Sequence, residues 1–109
     1  MRERQKEKKE ETLLRLAAEF VRLEATKTSL ITVTRVELNQ SGKNAHIYFT
    51  TLPESEQDTA EKFLVRKMSE FKSYIRDHSR IGILPHLSWK IDYGERNRQR
   101  LDELSKEIE

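Results

Sequence analysis

The chain has 109 residues, of which 35% are hydrophobic, so it can build one modest core, and we expect a single domain over residues 1–109. Charged residues make up 37% of the chain but nearly cancel to a formal net charge of +2, so an electrostatic role depends on where the charges lie. The absence of cysteine excludes disulfides, thiolate catalysis and Cys-ligated zinc. Because no stretch is apolar enough for a signal peptide or a membrane span, the sequence predicts a cytoplasmic protein with no membrane partner.

The first predicted element is a helix from Arg2 to about Ala25, a stretch that contains neither Gly nor Pro. Its apolar residues recur at helical spacing: Leu13, Leu16, Ala17, Phe20, Val21 and Leu23. Residues 1–11 are charged almost throughout, so we expect this extension either to project from the domain or to fray in the absence of a partner. The short polar residues of Thr26–Ser29 are expected to break the helix before the next element.

A β-hairpin is predicted next, with strands over Thr32–Leu38 and Asn44–Thr50. We expect one apolar face on each strand: Leu30, Val36 and Leu38 on the first, and Ala45, Ile47 and Phe49 on the second. The opposite faces carry Arg35, Glu37, His46 and Tyr48. The loop Asn39–Lys43 consists of turn formers, with Gly42 free to adopt a positive φ and Lys43 at the exposed tip.

A second helix is predicted after Pro53, with an acidic start at Glu54–Asp58 and a continuous pattern to about His78. One face is apolar: Ala60, Leu64, Met68, Phe71 and Ile75. A third strand over Leu87–Tyr93 follows, in which Leu87, Trp89, Ile91 and Tyr93 alternate with polar residues. After Gly94, a final helix over Glu95–Glu109 is predicted, with a thin apolar stripe of Leu101, Leu104 and Ile108.

The predicted order is α-β-β-α-β-α, an α+β fold in which helices cover one face of a three-stranded mixed sheet. Because a long helix connects strands two and three, these strands cannot form a tight hairpin. We therefore expect strand three to pair in parallel beside strand one, which gives the sheet order 2-1-3. The other face of the sheet is expected to stay open to water or to a ligand.

Several segments, in this order and spacing, resemble the ribosome-binding factor A family nearly from end to end. The segments that carry the resemblance are Leu13–Phe20, Thr32–Leu38, Ala45–Phe49, Ile83–Leu87, Asp92–Arg96 and Leu101–Leu104. The resemblance implies a type II KH-like domain that binds the small ribosomal subunit and its rRNA and assists late rRNA maturation and processing. We also expect a monomer that acts without a cofactor and without catalysis.

At two places this chain departs from the family pattern, and there the family's features do not apply directly to its residues. The family typically has an Ala-any-Gly kink before the third strand, whereas this chain has Lys67-Met68-Ser69. Serine does not permit the close backbone approach that glycine does, so the resemblance alone does not predict the kink here. The family also tends to place arginines before the proline, where this chain has Gly82-Ile83-Leu84, and Arg80 is the nearest cation.

The sequence shows no pattern of residues typical of an enzyme. Its three histidines, His46, His78 and His86, lack metal-ligand spacing, so we expect no metal site. Asp92 has no identifiable partner acid, base or nucleophile nearby in sequence, and its place before Gly94 predicts a helix cap or turn residue. We therefore expect no catalytic residue and no cofactor.

Positive charge recurs along and beyond the second helix at Lys62, Arg66, Lys72, Arg76 and Arg80. Composition alone favours ordinary solvated helix faces, because acids such as Glu61, Glu70 and Asp77 lie between these cations. The resemblance favours an RNA-binding surface instead, with Arg35 and Lys43 in support and with Arg96, Arg98 and Arg100 as further cations. Glu37, on the same strand face as Arg35, can simply screen that arginine.

Two further interpretations remain open from the residues. Tyr48 and His46 on the open sheet face can stack RNA bases, or can pack only against their neighbours. The alternative function is a protein-interaction module that docks on a partner, or dimerises, through the charged N-terminal helix Arg2–Arg22.

Overall fold

The computed structural model describes residues 2–24 and 30–108, with side chains up to residue 104 in the last helix. The elements are α1 (Glu3–Glu24), β1 (Leu30–Leu38), β2 (Asn44–Leu52), a 3₁₀ turn (Glu54–Glu56), α2 (Gln57–Arg66), α3 (Met68–His78), β3 (His86–Ile91) and α4 (Tyr93–Ile108). This order and the mixed sheet confirm the predicted fold class. The break that was predicted at Thr26–Ser29 lies outside the described residues.

The three strands lie in the order β1-β2-β3, so β2 is central and the predicted order 2-1-3 is wrong. β1 pairs with β2 antiparallel, and β3 pairs with β2 in parallel from Asn44↔His86 to Phe49↔Ile91. The reason is the helical crossover between β2 and β3, which returns the chain in the direction of β2 and lets the two strands pair directly. β1, joined to β2 by the hairpin, therefore lies at an edge.

A β-bulge in β1 changes which residues of that strand face the core. The register shifts between Val33 and Arg35 and leaves Thr34 as the extra residue. Because side-chain direction alternates along a strand, one extra residue changes which residues face the core on one side of the bulge. Val36 is buried as predicted, but Leu30, which was predicted to share its face, is 61% exposed.

Aromatic side chains join the helices to the sheet at the centre of the core. The ring centroids of Phe20 on α1 and Phe71 on α3 are 5.1 Å apart, and Phe71 is 5.3 Å from Trp89 on β3. Trp89 in turn lies edge-on to Phe49 of β2 at 6.3 Å. The predicted core positions of these aromatics are confirmed, and all four are buried. The helices α1 and α3 thus pack on one face of the sheet.

The helix predicted over residues 54–78 is interrupted at Lys67. α2 ends at Arg66, and the next residue, Lys67, has a φ of −92° and a ψ of 8°. Because this φ is negative, the break needs no glycine. The Lys67 amide donates to the Phe63 carbonyl, and the Phe71 amide donates to the Lys67 carbonyl. The structure therefore contains a helix break at Lys67, within the Lys67-Met68-Ser69 stretch that the resemblance compares with the family's kink.

The loops next to the strands meet at one end of the sheet. Gly42 has a φ of 74°, as predicted for the hairpin turn, and the Asn39 carboxamide oxygen accepts from the Lys43 and Asn44 amides. The His86 amide donates to the Lys43 carbonyl at 2.8 Å. The hairpin tip consequently lies beside the start of β3, next to the loop that carries Arg80.

Candidate nucleic-acid interface

The cations of α2 and α3 form two rows at helical spacing. Lys62 and Arg66 are four residues apart on α2, and Lys72 and Arg76 are four residues apart on α3, so each pair lies on one helix flank. Lys72 is half-buried and the other three are exposed. Among the described side chains, none of these four forms an ion pair within 4.0 Å. Their charge is therefore available to an external anion.

Two more of the predicted cations lie at the end of the sheet where the loops meet. Lys43 is exposed at the hairpin tip, and Arg80 is exposed in the loop after α3. Neither has a carboxylate partner within 4.0 Å in the part of the chain that the structure describes. The hydrogen bond from the His86 amide to the Lys43 carbonyl places the hairpin tip beside the end of the loop on which Arg80 lies.

The opposite flank of α3 is acidic and faces α1. Glu24, Glu70 and Asp77 line a groove of about 430 Å³ between the two helices. The Tyr74 hydroxyl, at the same flank, donates to Glu19 of α1 at 2.9 Å. Burial and then this hydrogen bond raise the pKa of Tyr74 above its usual value. A polyanion is repelled from the acidic groove, so α3 favours approach from its cationic flank.

Arg35 does not lie with the cations of α2 and α3. It lies on the opposite face of the sheet, where its Nε donates to Asp92 Oδ2 at 3.2 Å and its Nη1 pairs with Glu37. Its guanidinium carbon is also 3.8 Å from the centre of the Tyr48 ring. The screening by Glu37 that the sequence allowed is therefore present, and Asp92 adds to it.

The three arginines near the start of α4 are also neutralised by carboxylates. Arg96 pairs with Glu54 at 3.1 Å, Arg100 pairs with the same carboxylate, and Arg98 pairs with Glu95 and with Asp102 at 3.0 Å. The hydrogen bond from Arg100 lowers the pKa of Glu54 below its usual value. These contacts hold α4 against the 3₁₀ turn, and they reduce the charge that these arginines offer to an outside anion.

Asp92 links the start of α4 to the bulge of β1. Its Oδ1 accepts from the Glu95 amide at 3.0 Å, which confirms the predicted helix cap, and its Oδ2 accepts from Thr34 Oγ1 at 2.6 Å. Burial opposes the charged form of this 6% exposed residue, but the hydrogen bonds from Thr34, Glu95 and Arg35 outweigh it and lower the pKa of Asp92. The link to β1 spans 58 residues, and no local pattern in the sequence indicates it.

Two of the histidines contact neighbouring side chains. His46 lies 3.4 Å from the Ser88 hydroxyl, and the His78 ring stacks on Tyr74 with centroids 4.0 Å apart. Over residues 2–24 and 30–104, no three His, Asp or Glu side chains come together in a way that could hold a metal ion. None of the described helices combines the length and the apolar character needed to cross a bilayer.

The element order, the mixed sheet and the broken helix define an α+β domain of the type II KH-like kind. The family model for ribosome-binding factor A matches residues 4–105, so the chain belongs to this family. A sequence search among curated proteins finds no significant match.

Two solved structures show the same fold. The crystal structure of ribosome-binding factor A from Thermus thermophilus superposes with a TM-score of 0.70 at 24% identity, and the match covers 79% of this chain and 93% of that one. The solution NMR structure of a Thermotoga maritima protein assigned as a ribosome binding factor A gives a TM-score of 0.67 at 25% identity, over 83% of this chain and 89% of that one.

Proposed function

We propose that this chain binds the small ribosomal subunit through its rRNA and assists late maturation and processing of that RNA. Family membership supports a ribosomal role, and the observation that carries the RNA contact is a set of cations, all exposed except the half-buried Lys72, that have no carboxylate partner among the described side chains. The proposed contact residues are Lys62, Arg66, Lys72, Arg76, Arg80 and Lys43. We assign Arg35 to a separate face of the sheet.

Such a surface binds by charge and geometry rather than by reading bases. Lysine and arginine side chains contact phosphates and release condensed counterions, so affinity falls steeply as salt rises and depends weakly on sequence. The chain can then favour one rRNA conformation only by as much as it prefers that conformation over others. This describes a cytoplasmic monomer that acts by binding and release, without a cofactor and without catalysis.

The alternative function, docking or dimerisation through the charged start of α1, has weaker support in the geometry. Glu10 accepts a hydrogen bond from the Leu38 amide at 2.8 Å, which ties this part of α1 to the free edge of β1. Glu7 and Glu11 line a groove with Val36 beside this contact. The charged segment therefore already contacts its own domain, and part of its surface is not available to a partner.

Salt titration of binding to purified small-subunit rRNA separates the two functions. The double variant R66E/R76E removes two unpaired cations and is expected to weaken binding at all RNA sequences alike. The control R15E/R98E makes the same charge change at arginines that pair with Glu19 and with Glu95, and it should bind nearly as the wild type does. If R66E/R76E also binds like the wild type, while deletion of residues 1–11 abolishes association, the alternative is correct.

A further inference from the structure

The face of the sheet opposite α1 and α3 carries an ordered row of polar side chains. The strand register aligns Arg35 with Tyr48 and Tyr48 with Lys90, so one residue from each strand forms a line across the sheet. Arg35 and Lys90 are exposed and Tyr48 is half-buried. Within the described residues, α4 lies over the other end of this face, where Gln99 lines a groove together with Thr32 and Thr50.

The guanidinium of Arg35 is held over Tyr48 in a fixed orientation. Its Nε donates to Asp92 and its Nη1 donates to Glu37, so two of its nitrogens are bonded to carboxylates. The Tyr48 hydroxyl donates to the other Glu37 oxygen at 3.3 Å. Nε and Nη1 are bonded to carboxylates and one face of the guanidinium lies against the ring, yet the Arg35 side chain is still 47% exposed, so part of the group is open to solvent.

Lys90 supplies a cation on the other side of Tyr48. Among the described side chains, no carboxylate lies within 4.0 Å of Lys90. Proteins recognise unstacked nucleotides by stacking the base on aromatic rings or guanidinium planes, and they contact the backbone phosphate with a nearby cation. A half-exposed guanidinium on an aromatic ring, with an unpaired ammonium on the strand beyond that ring, has the parts that this recognition needs.

We propose that the row Arg35, Tyr48 and Lys90 binds one unpaired nucleotide of single-stranded RNA. The base stacks on the Arg35 guanidinium, which Tyr48 supports from beneath, and Lys90 contacts the phosphate. This rests on the proposed function in that the ligand is RNA, but the contact is on the opposite side of the molecule from α2 and α3. Asp92 acts here as a positioning residue, because it orients the guanidinium.

The first test is fluorescence anisotropy with a fluorescein-labelled single-stranded hexaadenylate RNA. Y48L removes the aromatic support but no charge, so affinity should fall on the order of tenfold while the salt slope is unchanged. R35K keeps the charge but loses the planar face, so a loss of similar size is expected. K90Q should reduce the salt slope by about 0.7. The matched control is Y93L, because the Arg96 guanidinium over that ring is only 19% exposed and pairs with Glu54.

The second test is NMR shift mapping of the labelled wild-type chain with the same hexaadenylate, which does not depend on any variant folding. Shifts at Arg35, Tyr48 and Lys90 together with a loss in R35K support the proposal. Shifts confined to α2 and α3, or a wild-type affinity in both R35K and Y48L, overturn it and leave the proposed function standing. The absence of shifts on both faces contradicts both proposals.

Discussion

Replacement of Asp92 by alanine tests the link between α4 and the sheet. The substitution removes the cap of α4, worth about 1 kcal/mol, and the charged hydrogen bond from Thr34, worth roughly 2 kcal/mol. Because Asp92 is buried, these contributions are not screened by solvent, and we expect D92A to lower the free energy of unfolding by about 3 kcal/mol at pH 7. The ion pair with Arg35 adds little to this loss, because the half-exposed arginine is screened by solvent.

Urea unfolding of D92N over a range of pH isolates the charge of Asp92. Asparagine is also a good helix cap, so D92N should lose only the charged part, about 1.5 kcal/mol at neutral pH. The lowered pKa of Asp92 means that its charge stabilises the fold fully above about pH 5, and that this stabilisation disappears as the pH falls below about 4. The difference between D92N and the wild type should therefore vanish in acid. A difference that is absent at pH 7, or that is constant with pH, would refute the reasoning.

Four further predictions follow from the geometry. F71A should cost about 3–5 kcal/mol of unfolding free energy, measured in urea, because it opens a cavity in the aromatic centre of the core. R66Q/R76Q should make the salt slope of binding to single-stranded RNA shallower by about 1.4, measured by anisotropy, and an unchanged slope would exclude these two contacts. S69G should leave RNA affinity within twofold in the same assay, since the helix break does not need a glycine, and a large change would contradict this. E54Q should reduce hydrogen-exchange protection in α4 but not in the strands, whereas loss of protection in both would show that α4 is not held locally.

The local elements were predictable because their signals lie in neighbouring residues. The hairpin and its Gly42 turn follow from alternation and turn chemistry, and the burial of Phe71 follows from helical spacing. The break at Lys67 was not predictable, because no Gly or Pro marks it and the apolar period runs through it. The bulge at Thr34 was not predictable for a similar reason. The polar and β-branched residues of this part of β1 are compatible with either face of the sheet, so the sequence does not indicate the register shift.

The remaining errors concern contacts between residues far apart in sequence. Alternation in β3 identifies its two faces but not the strand beside it. The neighbouring strand had to be inferred from the connection, and the inferred neighbour, β1, was wrong because β3 pairs with β2. The cations of α2 were identified from helical spacing, but the sequence could not distinguish Arg66, which lacks a carboxylate partner among the described side chains, from Arg100, which pairs with Glu54, 46 residues away. The link from Asp92 to Thr34 was missed for the same reason.

Co-sedimentation with small ribosomal subunits tests the proposed RNA contact of α2 and α3 most directly. Purified chain is mixed with immature or mature subunits at low and at high salt, in parallel with R66E/R76E and the control R15E/R98E. We predict that the wild type and the control sediment with immature subunits at low salt and are released at high salt, while R66E/R76E stays in the supernatant. Sedimentation of R66E/R76E to the same extent as the wild type, or binding that is insensitive to salt, would contradict the account.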